Sequence, residues 1–205
     1  MFTGIVSHLG IIRKTETFEG GRELVIECEF ADDTHIDESI AVNGVCLTVV
    51  ARDQQSFTVQ CVDETLRKTI LGGLKAGSKV NLERSLTLEK GIEGHFVQGH
   101  VDTVGTIQSI SKKGADLLLT VRFDEDFSDY VVDRGSIAVD GISLTVARCT
   151  NTTCTLAIIP YTWEHTNLFL KSEGDTVNLE FDIFGKYIVR YLNKREGRPS
   201  GTDAQ

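Results

Sequence analysis

The sequence predicts an all-β fold: two similar six-stranded closed β-barrels from an internal duplication, followed by a C-terminal α-helix. Three observations carry this. The segment Ser39-Ile40-Ala41-Val42-Asn43-Gly44-Val45-Cys46-Leu47-Thr48-Val49 returns as Ser136-Ile137-Ala138-Val139-Asp140-Gly141-Ile142-Ser143-Leu144-Thr145-Val146, identical at eight of eleven positions with an offset of 97. Within each copy the apolar residues recur mostly at a period of two, as half-buried strands require. Only the C-terminal end changes period: Phe184, Tyr187, Ile188, Tyr191 and Leu192 fall at i, i+3, i+4, i+7 and i+8, one face of an α-helix.

The repeat extends beyond the hairpin. The offset of 97 carries Val80-Asn81-Leu82-Glu83 onto Val177-Asn178-Leu179-Glu180, and Thr65 and Thr69 onto Thr162 and Thr166. An offset of 95 carries Gly4 and Gly10 onto Gly99 and Gly105. Two units of this length run over residues 1–88 and 95–184, joined by the charged, glycine-bearing stretch 89–94. They exceed the ~20–50 residues of a solenoid repeat. Strands are expected at Leu24–Phe30, Phe57–Val62 and Leu117–Phe123. Asn43-Gly44 and Asp140-Gly141 suit tight hairpins, which sets Ser39 opposite Thr48 and Ser136 opposite Thr145. Helical turns are expected at Asp63–Leu71, Trp163–Leu170 and, more weakly patterned, Asp124–Val131. About six strands in so short a unit favour closure, which removes free sheet edges. The helix, residues 185–196, either docks on its own barrel or meets copies from other chains. The polar residues 197–205 read as a disordered tail.

Composition narrows the function. With 21 Lys and Arg against 30 Asp and Glu, the 205-residue chain carries a formal charge of −9, which offers no overall attraction to nucleic acid or anionic membrane. No apolar run reaches the ~18 residues of a spanning helix, and Met1 to Lys14 lacks the order of a signal peptide, so a cytoplasmic protein is expected. The five cysteines, Cys28, Cys46, Cys61, Cys149 and Cys154, form no C-x-x-C pair and read as reduced.

Met1-Phe2-Thr3-Gly4-Ile5-Val6, the two hairpins, Gly94-His95-Phe96-Val97-Gln98-Gly99-His100-Val101-Asp102 and Val177-Asn178-Leu179-Glu180-Phe181-Asp182 together resemble the riboflavin synthase family of the α-chain type, over residues 1 to about 195. The resemblance implies a homotrimer joined through C-terminal helices. The implied reaction is a dismutation of two molecules of 6,7-dimethyl-8-ribityllumazine: a four-carbon fragment passes from one to the other, giving riboflavin and 5-amino-6-ribitylamino-pyrimidinedione without cofactor or metal. It also implies that the productive site lies between the N-terminal barrel of one chain and the C-terminal barrel of its neighbour.

That chemistry asks for two pockets of similar shape and different role, which a duplicated fold can supply. Carried onto this sequence, catalysis falls to His100, Cys46, Ser39 and Asp182. The acidic 7-methyl group of the lumazine calls for a base near neutral pH, for which His100 is the candidate; its counterpart in the first copy is Ile5. The acceptor calls for a nucleophile at its electrophilic ring carbon, for which Cys46, Ser39 or a bound water would serve, although no cation stands close in sequence to favour the Cys46 thiolate. The first pocket is expected to comprise Gly4, Ile5 and Val6, Cys46, Leu47 and Thr48, and Gln60, Cys61, Val62, Asp63, Glu64 and Thr65. The second is expected from Ser143, Leu144 and Thr145 with Ala157, Ile158, Ile159, Pro160, Tyr161 and Thr162. Gly99, His100, Val101 and Arg134 complete the substrate-binding set. Asp140 is read as an acidic site residue or a turn aspartate, and His95 as a second-site candidate; His8, His35 and His165 read as structural. Arg134 stands where the family commonly has lysine, and Thr103 where it commonly has glycine.

Two other functions fit parts of the pattern. A non-catalytic lumazine- or flavin-binding relative would be expected to lose one pocket, whereas both hairpins here keep Leu-Thr-Val. An electron-transfer flavoprotein barrel would need a phosphate-binding set and normally a nicotinamide domain, and no G-x-G-x-x-G is present.

Overall fold

Each half of the chain closes six antiparallel strands into a barrel, seen in a computed structural model that describes residues 1–113 and 116–196. The first barrel comprises β1 (His8–Phe18), β2 (Gly21–Glu27), β3 (Ser39–Val42), β4 (Val45–Arg52), β5 (Ser56–Val62) and β6 (Lys79–Arg84), closing in the order β1-β2-β5-β4-β3-β6. The second repeats that order with β7 (Thr103–Lys113), β8 (Asp116–Arg122), β9 (Ser136–Val139), β10 (Ile142–Cys149), β11 (Thr153–Ile158) and β12 (Thr176–Phe181). Strand bulges recur at matching places, after Ile12 and Ile107 and after Val49 and Val146. An extra residue there bends the strand, which a barrel this small needs in order to close. Ser39 pairs with Thr48 and Ser136 with Thr145, the register set by the two-residue hairpins. The tail at 197–205 lies outside the described residues.

The barrel interiors are solid. Ile12, Leu24, Ile40, Leu47, Phe57 and Leu82 fill the first, and Ile107, Leu119, Ile137, Leu144, Leu156 and Leu179 the second. A ligand must therefore bind on an outer face.

Two of the three expected helical turns break in two. α1 (Asp63–Lys68) passes into a 3-10 turn at Ile70–Gly73, and α2 (Pro160–His165) into one at Asn167–Leu170. Thr69 and Thr166 cause the break. Each hydroxyl donates back to a carbonyl four residues earlier, Thr65 or Thr162, at 2.7 Å, and accepts the amide of Leu71 or Leu168. The third expected turn is a 3-10 segment, Glu125–Tyr130.

The barrels meet about a pseudo-twofold axis, so their contacts come in pairs. Phe2 and Val97 exchange amide hydrogen bonds at 2.7 and 3.1 Å. Gly44 and Gly141 touch so closely that a Cβ on Gly44 would lie 2.6 Å from the Gly141 nitrogen. The Asn81 amide group donates to the Asp140 carbonyl at 2.9 Å, and the Asn178 amide group to the Asn43 carbonyl at 2.8 Å. Asp140, fully buried, accepts the Asn178 N–H as the Asn43 side-chain oxygen accepts the Asn81 N–H, and departs from the symmetry by pairing with Lys171 at 3.2 Å. It belongs to this inter-barrel network, not to a ligand face.

α3 (Ile183–Arg195) begins where the Asp182 carboxylate accepts the Phe184 amide at 3.0 Å. Its first turn docks through a Phe96–Phe184 edge contact and a Lys186–Asp102 ion pair of 2.6 Å. Tyr187, Ile188, Tyr191 and Leu192 remain 48–68% exposed, so of the two sequence expectations, docking on its own barrel fails for the apolar stripe. Among the described residues no helix is long and apolar enough to cross a membrane.

Candidate functional site

The two outer faces are each finished by a segment from the other half of the molecule. Cys46 N–H donates to the Gly99 carbonyl at 2.8 Å, and Ser143 N–H to the Gly4 carbonyl at 2.8 Å. Val101 accordingly packs on the core of the first barrel and Val6 on that of the second. This corrects the sequence-based grouping. Gly4, Ile5 and Val6 join Ser143, Leu144 and Thr145 on the second barrel, while Gly99, His100 and Val101 join Cys46, Leu47 and Thr48 on the first. The exchange arises because Phe2 and Val97 pair across the axis and send the two leading segments past each other.

Strand alternation then decides which side chains face outward. Cys46, Thr48, Gln60 and Val62 on the first barrel, and Ser143, Thr145, Ala157 and Ile159 on the second, lie at outward or partly exposed positions. Leu47, Cys61, Leu144 and Ile158 are buried in the barrel cores, so only their backbone atoms can meet a ligand. The rim is completed by Asp63, Glu64 and Thr65 of α1 on one face, and by Pro160, Tyr161 and Thr162 of α2 on the other. Glu64 pairs with Arg67 and Lys68, which hold its carboxyl below the usual range. Gln60 donates to Glu23 at 2.9 Å. Arg134 occupies the turn before β9, exposed, in a left-handed backbone conformation with φ of 66°.

Ser39, Cys46, Thr48 and His100 gather on the first barrel. Ser39 stands opposite Thr48, and its carbonyl accepts the Ser85 hydroxyl at 2.7 Å. Beside it opens a cavity of about 650 Å³, lined in part by His8, His35, Glu38, Arg84 and Lys90. The His100 imidazole is exposed and, among the described residues, has no hydrogen-bond or ion-pair partner. Buried Cys28, Cys61 and Cys154 are held as thiols, pushed up to about 11, 12 and 12 by desolvation.

The second face carries its own histidine. His95 is buried, with Nδ1 2.7 Å from the Ser143 hydroxyl and its amide donating to the Thr3 carbonyl. Burial pushes its pKa down and the Asp182 carboxylate works against that shift. The second-site candidate is thus tied directly into the Ser143 face, whereas Asp182 serves as the cap of α3.

Two residues of the repeat were given no role by the sequence reading. The Glu83 carboxylate accepts from the amide and hydroxyl of Thr3 and the amide of Gly4 at 2.8–2.9 Å. The Glu180 carboxylate accepts from the amides of Gln98, Gly99 and His100 at 2.6–2.9 Å. Burial pushes Glu180 up to about 7, against the pull of those amides and of Lys186. The signal was present in the repeated Val-Asn-Leu-Glu: a charged residue one place before the end of a strand in both copies, 3% exposed in each, requires a dedicated set of donors.

Comparison with known proteins agrees with this architecture. The family model of the lumazine binding domain matches residues 3–85 and again 98–182. The chain is 40% identical over 195 residues to the riboflavin synthase of Bacillus subtilis, covering 95% of this chain and 91% of that one. It is 43% identical over 195 residues to that of Schizosaccharomyces pombe, covering 94% of each. Among solved structures, LumP complexed with riboflavin superimposes with a TM-score of 0.81 at 23% identity, covering 88% of this chain and 99% of that one. That likeness speaks for the fold alone. The duplicated barrels, the paired outer faces and the near-full-length identity to the synthases make one assignment: the chain belongs to the riboflavin synthase family of tandem lumazine-binding domains.

Proposed function

We propose that the protein works in the cytoplasm as a homotrimeric transferase, converting two molecules of 6,7-dimethyl-8-ribityllumazine into riboflavin and 5-amino-6-ribitylamino-pyrimidinedione. The observation that carries this is the pair of outer faces, alike in build and unlike at the reacting positions. Cys46 on one stands for Ser143 on the other, and His100 for Ile5. A reaction between two copies of one substrate needs both likeness, to bind each, and difference, to make one donor and the other acceptor.

In this reading two lumazines meet across a subunit boundary, one on the first barrel of one protomer and one on the second barrel of its neighbour. His100, exposed at the edge of the Cys46 face, takes a proton from the 7-methyl group of one molecule, whose carbanion is delocalised into the ring. A hydroxyl, the Cys46 thiol or water adds to the ring carbon of the other and activates it. Thr48 and Thr145 supply hydroxyls, and the outward-facing strand edges supply backbone groups, to the pyrimidinedione and ribityl chain. In the same reading Ser39, Asp182 and Arg134 act from the side where the partner molecule would come. The exposed Tyr187, Ile188, Tyr191 and Leu192 stripe of α3 is the trimer contact: an apolar stripe of this kind is stable in water when it meets copies of itself.

The test is direct. Protein incubated with the ribityllumazine should generate riboflavin absorbance and fluorescence, one riboflavin for every two lumazines consumed. Tight binding without conversion would instead identify a carrier.

A further inference from the structure

One residue bridges the two barrels at the candidate base. The Gly99 N–H donates to Glu180 at 2.9 Å, while its carbonyl accepts the Cys46 N–H at 2.8 Å. The Glu180 carboxylate also holds the amides of Gln98 at 2.6 Å and His100 at 2.9 Å, so three successive N–H groups converge on one anion. Such a backbone concavity needs a left-handed residue within it, and Gly99, with φ of 79°, provides it. The position of the His100 backbone relative to the Cys46 face is therefore set from strand β12 of the opposite barrel.

The clamp is braced in turn by α3. Asp102 Oδ2 accepts the Phe181 amide at 2.9 Å and meets the Lys186 ammonium at 2.6 Å. Lys186, at the docked end of α3, thus closes the loop that carries residues 98–102. The first half of the molecule holds an internal control. Glu83 grips Thr3 and Gly4 in the same manner, but it also takes the Thr3 hydroxyl, and the residue that follows its concavity is Ile5, which has no proton chemistry.

We propose that Glu180 is a positioning residue for the riboflavin synthase reaction, fixing His100 over the Cys46 face through the backbone of residues 98–100, with Lys186 of the C-terminal helix bracing that clamp through Asp102. The inference rests on the functional reading above. It gives the two glutamates different duties despite equivalent places in the repeat: Glu83 closes the second face, and Glu180 aims the base. Misplacing a reacting group by about 1 Å can cost on the order of 100-fold in rate while leaving ground-state binding intact. A glutamine at 180 would turn an amide NH₂ toward backbone N–H donors on one side of the carboxylate's place, loosening the clamp without changing the side chain's size.

The experiment is a double-mutant cycle in the full-length protein, reading kcat and KM for the ribityllumazine in Glu180→Gln, Glu83→Gln, His100→Ala and each glutamine variant combined with His100→Ala. Glu180→Gln is expected to lower kcat about 10- to 100-fold with KM within about 3-fold, and to add no further loss once His100 is alanine. The effect of Glu83→Gln should persist unchanged in the His100→Ala background. Should Glu180→Gln fail to fold, Lys186→Met, at a partly exposed ion pair, replaces it in the cycle, with a smaller fall in kcat that again vanishes in His100→Ala. Losses that multiply with His100→Ala, or a Glu180→Gln effect carried by KM, overturn the positioning role while leaving the enzyme assignment intact. A wild-type protein that forms no riboflavin overturns both.

Discussion

The amide of Cys46 and the carbonyl of Gly99 are joined at 2.8 Å across the boundary between the two barrels. The contact leaves no room for a side chain: a Cβ on Gly99 would stand 2.6 Å from the Cys46 Cβ and 2.8 Å from its nitrogen. Gly99→Ala is therefore expected to unseat residues 98–101, costing about 1–3 kcal/mol for the positive φ alone and more for the clash, with turnover lost. Gly77→Ala shares the positive φ but has nothing within 4 Å, so it should show only the backbone cost. Denaturant midpoints and activity of the two variants separate the effects.

His100→Ala should lower kcat by about 10²- to 10⁴-fold, the range for a lost general base, with ligand affinity changed far less. Steady-state kinetics alongside equilibrium binding of the lumazine checks this. Equal losses in both would make His100 a binding residue. Cys46→Ser should keep most of the turnover, because in the proposed mechanism a hydroxyl or water can take the place of the thiol as nucleophile.

The buried Asp140–Lys171 pair has no equivalent in the first copy, where the matching residues are Asn43 and Leu74. Removing one member strands the other's charge, so Asp140→Ala should cost about 3–5 kcal/mol, read as a lower urea midpoint at unchanged slope. Asn43→Asp should also destabilise, since it buries a second carboxylate beside Asp140 with no new cation.

Two buried groups give opposing pH dependence. His95 has a folded pKa below its ordinary 6.5. The folded state therefore refuses a proton that the unfolded chain accepts, and stability from this group is lost as pH falls through 6.5. Glu180 has a folded pKa of about 7 against an ordinary 4.5. The folded state keeps a proton there, and this contribution declines as pH rises from 4.5 to about 7. Relative to wild type, stability of His95→Gln between pH 5 and 7 should fall more steeply with rising pH, and that of Glu180→Gln should turn upward. Chemical denaturation at half-unit intervals measures both slopes.

Ile188→Asp with Tyr191→Asp, at positions 59% and 60% exposed within one chain, should leave the barrels folded and abolish the proposed trimer. Light scattering and far-UV circular dichroism on the same sample test it. A trimer that survives both substitutions would move the subunit contact away from α3.

The repeat made the architecture legible because identical hairpins at a fixed offset, with alternating apolar residues between them, admit few folds. The site was only partly legible. Ser39 opposite Thr48 follows from the hairpin alone, but the pairing of Cys46 with Gly99, and of Ser143 with Gly4, depends on a crossing that no local pattern encodes. Leu47 and Cys61 were grouped with their outward neighbours because a motif names consecutive residues, whereas a strand turns alternate ones inward. Glu83 and Glu180 look like ordinary surface carboxylates until the amides that surround them come from segments about 80 residues away.

The crossing of the leading segments also constrains how the molecule can be made. Residues 3–6 are translated well before Ser143, the residue on which they seat. The nascent first barrel must wait with its beginning undocked and its Cys46 surface uncovered until Gly99 emerges. Residues 3–6 thus take their place only once the second barrel has been made, and each outer face is finished by a segment from the other half.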